Sequence, residues 1–121
     1  MSMSMTALRA CFAVALLAAA LPAAAIEYAL SAGFTVSGVA MQMKPDEGGP
    51  VCFVAVTIVN GSGKDQVVEI ELDSDDGYSV ITYSGGPDRK PLKAGASETA
   101  EFKTLLRHLP KDLTISVRPH Q

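Results

Sequence analysis

The sequence predicts an all-β protein: a small immunoglobulin-like β-sandwich of about seven strands, preceded by a cleaved signal peptide. Three features of the chain lead to this prediction. After residue 25, apolar and polar side chains alternate with a period of two in several short runs. No stretch of that region keeps a helical period. Residues that favour turns (Gly, Pro, Asn and Asp) separate the runs at intervals of about 8 to 12 residues.

Residues 1–25 have the pattern of a cleaved secretory signal. Arg9 supplies a positive charge, an apolar run follows it, and Ala23 and Ala25 form the small pair of an A-x-A cleavage site. The apolar run is shorter than the roughly 20 residues that span a bilayer, so a membrane anchor is the weaker interpretation. We expect cleavage before Ile26 and export of a soluble periplasmic or secreted protein.

The remaining chain, residues 26–121, is expected to form a single β-sandwich domain, because at this size about 60 to 65% of the unfolded surface is buried, enough for one core. The full sequence has ten Lys and Arg against thirteen Asp and Glu; loss of Arg9 leaves nine against thirteen, a formal charge of −4. An acidic surface does not suit nucleic acid as a partner. No second apolar run in this region is long enough to cross a bilayer.

Seven strands are predicted, at residues 27–30, 34–44, 51–59, 66–72, 78–83, 97–104 and 113–118. The first strand is short and is set off from the second by Ser31-Ala32-Gly33, which indicates an edge strand. In the second strand the apolar positions change parity at Gly38, which indicates a β-bulge. The third strand is apolar on both faces, so we expect it to be central in its sheet or covered on its outer face.

The fourth strand has the clearest alternation. Val68, Ile70 and Leu72 share one face while Glu69 and Glu71 share the other, as in a sheet with one solvated side. The seventh strand repeats this alternation, and turn-forming residues bound the fifth and sixth.

The connections contain residues typical of turns. The segments 60–63 and 73–77 are rich in Asn, Asp and Gly, which tolerate the backbone angles of tight turns. The loop 84–95 is predicted to cap a long hairpin with a basic, solvated tip, and the loop 105–112 to contain one short helical turn. Asn60-Gly61-Ser62 matches an N-glycosylation sequon, which has meaning only in a eukaryotic secretory pathway.

One cysteine remains after export, because Cys11 leaves with the signal and Cys52 stays. The exported chain therefore cannot close an internal disulfide. Cys52 alternates in phase with Val54, Val56 and Ile58, the most continuously apolar face in the chain. We expect it to be a buried, reduced structural thiol.

No set of residues predicts catalysis or a resident cofactor. The chain has no nucleophile elbow, His108 is its one plausible general base, and the acidic turn 73–77 lacks EF-hand spacing. Small sandwiches without pockets typically act by contact, since an edge strand has free backbone groups that a partner's strand can satisfy. We therefore expect a non-enzymatic accessory protein that binds another exported protein, such as an assembly factor or chaperone for a secreted or fibre-forming client.

The partner-binding residues are predicted in the edge strand and in the loop 84–95: Glu27, Tyr28, Leu30, Arg89, Lys90 and Lys93. A first alternative is a periplasmic copper-handling protein, because thioethers, a thiolate and an imidazole together suit Cu(I). Its ligands would be Met41, Met43, Cys52 and His108. A second alternative is a secreted enzyme inhibitor that acts through the loop 84–95. No motif identifies a family, and the sequence leaves the oligomeric state open.

Overall fold

The computed structural model describes residues 25–120, which form seven β-strands in two sheets. The strands are β1 (Ala25–Leu30), β2 (Phe34–Lys44), β3 (Val51–Asn60), β4 (Val68–Ser74), β5 (Ser79–Tyr83), β6 (Ser97–Lys103) and β7 (Asp112–Pro119). One sheet has the order β1–β7–β4–β5, and the other has the order β2–β3–β6. The prediction of an all-β, sandwich-like protein is confirmed. The predicted signal peptide lies outside the described residues, apart from Ala25.

The strand boundaries follow the alternation of the sequence closely. Strand β2 has the predicted bounds, and β7 is one residue longer at each end than predicted. Strand β4 begins at Val68 and not at residue 66, because Gln66 instead forms an isolated bridge with Leu92. Period-two alternation thus located the strands but not the ends of the ladders, which depend on the partner strand.

Strand β3 is central in the three-stranded sheet, as predicted. On its inner face Cys52, Val54, Val56 and Ile58 are all completely buried. Burying aliphatic side chains of this size stabilises the fold by about 1.5 to 3 kcal/mol each relative to leaving them exposed. This stripe is therefore a principal source of the stability of the fold.

The predicted β-bulge in β2 is confirmed. The register with β3 shifts between Val36 and Gly38. An extra residue at this point reverses which positions face inward. Because of the shift, both Val36 and Val39 pack against the core although their positions differ in parity.

The four-stranded sheet supplies the opposing half of the core. Strands β4 and β7 are antiparallel and contribute alternate buried side chains, whereas β1 and β7 are parallel. The buried residues of β4 and β7 are Val68, Ile70, Leu72, Leu113, Ile115 and Val117. The polar faces of these strands point to solvent, as their alternation predicts.

Two predictions about loops were wrong. The loop 84–95 does not cap a hairpin, because β5 and β6 belong to different sheets and the loop carries the chain between them. The helical turn lies in this loop, as a three-residue 3-10 turn at Gly86–Asp88, and not in residues 105–112. The turn-forming residues were identified correctly. Which sheet the chain enters after each turn was not. By contrast, the acidic turn does close the β4–β5 hairpin, where Ser74 N–H donates to Tyr78 O at 2.8 Å.

Asn60 is a completely buried polar residue at the end of β3. Its Nδ2 donates to Lys64 O at 2.9 Å and to Leu92 O at 2.8 Å. Its Oδ1 accepts from Ser62 N at 3.0 Å and from Ser62 Oγ at 2.6 Å. All the hydrogen-bonding capacity of the side-chain amide is thus used, and the folded chain does not present this sequon amide to solvent.

We predict that Asn60→Ala lowers the free energy of unfolding by roughly 2 to 4 kcal/mol, because it leaves several buried backbone groups without partners. Urea denaturation of the variant and of the parent chain measures the difference. Ser62→Ala is the matched control: it removes one of the two hydrogen bonds that Oδ1 accepts, together with the contacts of the hydroxyl to Gln66 and Lys64, but leaves the buried amide in place, and it should cost about 1 kcal/mol. A loss below about 1 kcal/mol for Asn60→Ala would contradict the role given to this side chain.

Candidate functional site

Strand β1 is an edge of the four-stranded sheet, as the sequence predicted. Within residues 25–120 it pairs only with β7, with Tyr28 opposite Ile115 and Leu30 opposite Val117. Its other side presents backbone N–H and C=O groups that no strand of the described region satisfies. The site predicted from sequence therefore has the free edge on which the partner-binding hypothesis depends.

Two apolar side chains of β1 are exposed although they face the core side of the sheet. Directly paired residues lie on the same face, and Ile115 and Val117 are completely buried. Tyr28 and Leu30 nevertheless remain 48% and 39% exposed. Glu27, on the opposite face of the strand, is exposed as well. Strand β1 thus offers both unpaired backbone groups and apolar side chains.

The basic loop lies at the opposite edge of the same sheet, because it follows β5. Arg89, Lys90 and Lys93 are all exposed. The Arg89 guanidinium lies 4.3 Å from the centroid of the Tyr83 ring, a cation–π contact within the chain. The loop is also fixed from inside, where the buried Ser84 Oγ donates to Lys90 O at 2.6 Å. The structure therefore separates the two groups of predicted partner-binding residues.

The residues of the copper hypothesis are also divided. Met43 lies directly opposite Cys52, and Met41 shares its face, where both methionines pack against the core. His108 is exposed, and its Nε2 is 3.0 Å from Asp76 Oδ2. The sulfur side chains thus share one inward face, whereas the imidazole contacts Asp76 separately at the surface.

Cys52 is completely buried and is a free thiol. Its backbone N–H and C=O are both hydrogen-bonded to the segment that follows β6: the N–H donates to Leu106 O at 2.9 Å, and the carbonyl accepts from Thr104 N and Thr104 Oγ1 at 3.1 and 2.8 Å. Burial raises the pKa of the Cys52 thiol above its usual value, which suppresses the reactive thiolate. The prediction of a buried structural thiol is confirmed in its geometry.

We predict that Cys52 does not react with a thiol reagent in the native protein and reacts fully in denaturant. Cys52→Ser should lower the free energy of unfolding by about 1 to 3 kcal/mol, because it buries a hydroxyl without an evident partner, and Cys52→Ala should cost less. Thiol labelling with and without urea, together with a non-reducing gel, measures both properties. Rapid native labelling or a disulfide-linked dimer would show an accessible cysteine instead.

An ion-pair network on the outer face of the four-stranded sheet was not foreseen from the sequence. The Arg118 guanidinium donates to Glu69 and to Glu71, the latter at 2.8 Å. His120 Nδ1 lies 3.1 Å from Glu69 Oε1, and the His120 ring packs edge-on against Tyr83 with centroids 4.9 Å apart. The alternation of the sequence had placed Glu69, Glu71 and Arg118 on outer faces. Only the pairing of β4 with β7 brings them together.

The network lowers the pKa values of both glutamates below the usual 4.5. For Glu69, partial burial acts in the opposite direction, and the hydrogen bonds from His120 and Arg118 outweigh it. For Glu71, the hydrogen bond from Arg118 is the largest cause. Both carboxylates are therefore bound as anions in the folded state.

We predict that this network makes the free energy of unfolding fall as the solution becomes acidic. Groups with a lowered folded pKa stabilise the fold above the unfolded pKa and lose that contribution as pH falls through the folded pKa. The free energy of unfolding should therefore decline more steeply below about pH 5 in the parent chain than in Arg118→Gln. Lys44→Gln is the control, because it breaks an exposed pair, with Glu101, on the other sheet. Parallel pH profiles for the parent and Arg118→Gln would contradict this assignment.

Acidic side chains surround a cavity of about 270 Å³ near the start of β1. It is lined by Ala25, Glu27, Asp73, Ser74, Asp75, Asp112, Leu113 and Thr114. The Ser74 hydroxyl has no hydrogen-bond partner within the described part of the chain. It is in phase with Leu72, however, so it points to the core side and away from the carboxylates. Within residues 25–120 no three His, Cys, Asp or Glu side chains form a metal-binding group.

Comparison with known proteins finds no matching family, no matching curated protein and no matching solved structure. Among residues 25–120 no helix is long and apolar enough to span a membrane.

Proposed function

We propose that this chain is a small exported, non-enzymatic accessory protein that binds another exported protein through the edge strand β1. The observation that carries the proposal is the combination of an unpaired backbone edge with the exposed side chains of Tyr28 and Leu30. Exposed edges of this kind are sites of strand addition by a partner chain. An assembly factor or chaperone for a secreted or fibre-forming client is the form of this activity that fits best.

We also propose that the domain is immunoglobulin-like. The sheet β2–β3–β6 corresponds to strands A, B and E of that architecture, and β7–β4–β5 corresponds to strands F, C and C′. Strand β1 then occupies the position of the last strand, but it comes from the start of the chain and runs parallel to its neighbour. Export follows from the secretory pattern of residues 1–25, and cleavage before Ile26 would leave nearly all of β1 in the mature protein.

The basic loop contributes less in this proposal than the sequence suggested. It lies at the far edge of the sheet, and Arg89 is already in contact with Tyr83. A partner bound along β1 would not reach Lys90 and Lys93 at the same time unless it spanned the sheet. The binding surface is therefore assigned to β1 and its immediate surroundings.

We predict that deleting residues 26–32 weakens binding of the client by about tenfold or more, because the deletion removes the free edge and both exposed apolar side chains. Affinity capture from the native cell envelope, with the parent chain and the truncated chain as baits, measures the difference. The matched control replaces Arg89, Lys90 and Lys93 by serine and should bind like the parent. The mass of the mature bait tests export, with an N-terminus at Ile26 expected.

The folded state of the truncated chain is checked by urea denaturation. If it does not fold, Tyr28→Ser with Leu30→Ser provides the second test, because both side chains are exposed and their replacement leaves the core intact. Unchanged capture by a folded β1 variant would overturn the assignment to β1, and loss of capture by the basic-loop variant would move the binding surface to residues 84–95. A mature chain that still begins at Met1 would overturn the proposed export.

A further inference from the structure

We propose that the partner contributes an extended, uncharged segment with alternating apolar side chains, and that this segment pairs with β2 as a fourth strand while covering Tyr28 and Leu30. The inference rests on the proposed function and refines it: β1 contributes its exposed side chains, whereas the free backbone edge that pairs with the client segment is that of β2. The site is the open side of the sandwich between β1 and β2, here called the lateral opening.

The two strands that border the lateral opening diverge from one corner. Each is the outermost strand of its sheet, and only residues 31–33 separate them. At the corner Ser31 N–H donates to Val117 O at 2.9 Å, and Phe34 N–H donates to Ser31 O at 3.1 Å. Gly61 N–H donates to Gly33 O at 2.7 Å and ties the corner to the adjacent loop. Two free edges, one in each sheet, therefore lie on the same side of the molecule.

Apolar side chains line both sides of the lateral opening. Tyr28 and Leu30 face inward from β1 but remain substantially exposed. Met41 and Met43 face inward from β2 and are only partly buried. At the other edge of the four-stranded sheet, the inward-facing Val80 of β5 packs against the core and is partly buried. The inward-facing apolar side chains are thus most exposed to solvent beside β1.

Strand β2 is the edge best suited to receive a strand. It has 11 residues, against six in β1 and five in β5, and its sequence from Phe34 to Met43 contains no charge and no proline. Natural proteins protect long edges with charges, prolines or bulges. The bulge near Gly38 interrupts only the first part of β2, and from there to Lys44 the register with β3 is regular.

The fourth edge of the sandwich shows this protection clearly. Strand β6 carries Glu98, Glu101 and Lys103 within seven residues. The one charge of β2, Lys44, lies at its end and is turned to the outer face, where its Nζ is 3.3 Å from Glu101 Oε2. No charged side chain of β1 or β2 therefore faces the lateral opening.

These features define the chemistry of the occupant. Unpaired N–H and C=O groups along β2 are satisfied by an extended backbone, and apolar walls on the inner side select apolar residues at every second position. The absence of charge on these walls disfavours charged residues at the same positions. A single extended segment meets these requirements by itself, with the edge of β2 beside its backbone and the exposed side chains of β1 against its inner face.

The test uses the mature chain and a blocked peptide with alternating valine and threonine, ten residues long and followed by two lysines for solubility. A peptide of the same composition with valines and threonines in pairs is the control. Amide hydrogen exchange is followed for each strand with and without peptide. We expect the alternating peptide to slow exchange in residues 38–44 by about tenfold or more, and the paired peptide to have little effect.

Tyr28→Lys with Leu30→Lys should weaken binding of the alternating peptide by about tenfold or more, because a charged amine would have to be buried against it. Ile81→Lys is the matched control: Ile81 is 44% exposed but lies on the outer face of β5, and its replacement should leave binding unchanged. All three substitutions are at exposed positions, and a thermal melt confirms that each variant is folded.

Three results would overturn the inference. Protection confined to β1 or to residues 84–95 would reject β2 as the pairing strand while leaving the proposed function standing. Equal binding of the two peptides, or no binding, would reject the alternating apolar segment. Protection of β2 that rises with protein concentration and needs no peptide would identify a second copy as the occupant. The proposed function fails separately, if client capture is unchanged in a folded β1 variant.

Discussion

In the described chain, every segment that connects one sheet to the other is hydrogen-bonded to one of the two ends of β3. At one end, Asn60 bonds to the loop that leads to β4 and to Leu92 and Ala96 of the loop that leads to β6. Gly61 beside it bonds to Gly33 in the corner that leads from β1 to β2. At the other end, Cys52 bonds through its backbone to Thr104 and Leu106, at the start of the passage to β7. The sheets are therefore positioned from the central strand.

This arrangement explains why buried polar groups are tolerated in the core of residues 25–120, where the one cysteine, Cys52, is a free thiol. A polar group buried without a partner costs about 1 to 3 kcal/mol, but the side chains of Asn60, Ser84 and Thr104 are completely buried and hydrogen-bonded. Asn60 and Ser84 donate to backbone carbonyls of loops that connect the sheets, and Thr104 donates to Cys52 O in β3 and accepts from Leu106 N–H in the loop before β7. The close approach of Gly33 and Gly61 serves the same purpose, since a Cβ on Gly33 would lie 2.7 Å from Ser62 Cα. Hydrophobic burial in the core is non-directional and does not fix the positions of the loops. Specific hydrogen bonds and close backbone contacts fix them instead.

The sequence was sufficient for the features that depend on local pattern. Alternation located all seven strands of the described region, the change of parity at Gly38 located the bulge, and the two-sided apolar run identified β3 as central. The sheet reached after each turn could not be read from turn chemistry, because Asn and Gly suit a hairpin and a crossing equally well. The network around Arg118 escaped prediction for a related reason, since strands separated by more than 40 residues in sequence supply its members.

For the candidate site, the edge position of β1 was predicted and the separation of β1 from the basic loop was not. Being short and set off by Ser31-Ala32-Gly33 are local properties of β1. That β5 lies at the opposite edge follows from the order of the whole sheet, which the sequence did not supply. The parallel pairing of β1 with β7 could not be predicted from local pattern either, because parallel strands are joined by a long connection and so lie far apart in sequence. Here the entire domain between them is that connection.

The same topology attaches β1 to the described fold on one side only. It forms no hairpin, pairs with a single strand within the described chain, and leaves Tyr28 and Leu30 largely outside the core. Strand β2, by contrast, is fixed along its whole length to β3 and shares the core through Phe34. Regions with few buried contacts open at the lowest free energy, and binding elements are commonly drawn from them. Strand β2 therefore provides a firmly held backbone edge, and β1 beside it provides exposed apolar side chains, the two features on which the proposed binding of an extended chain rests.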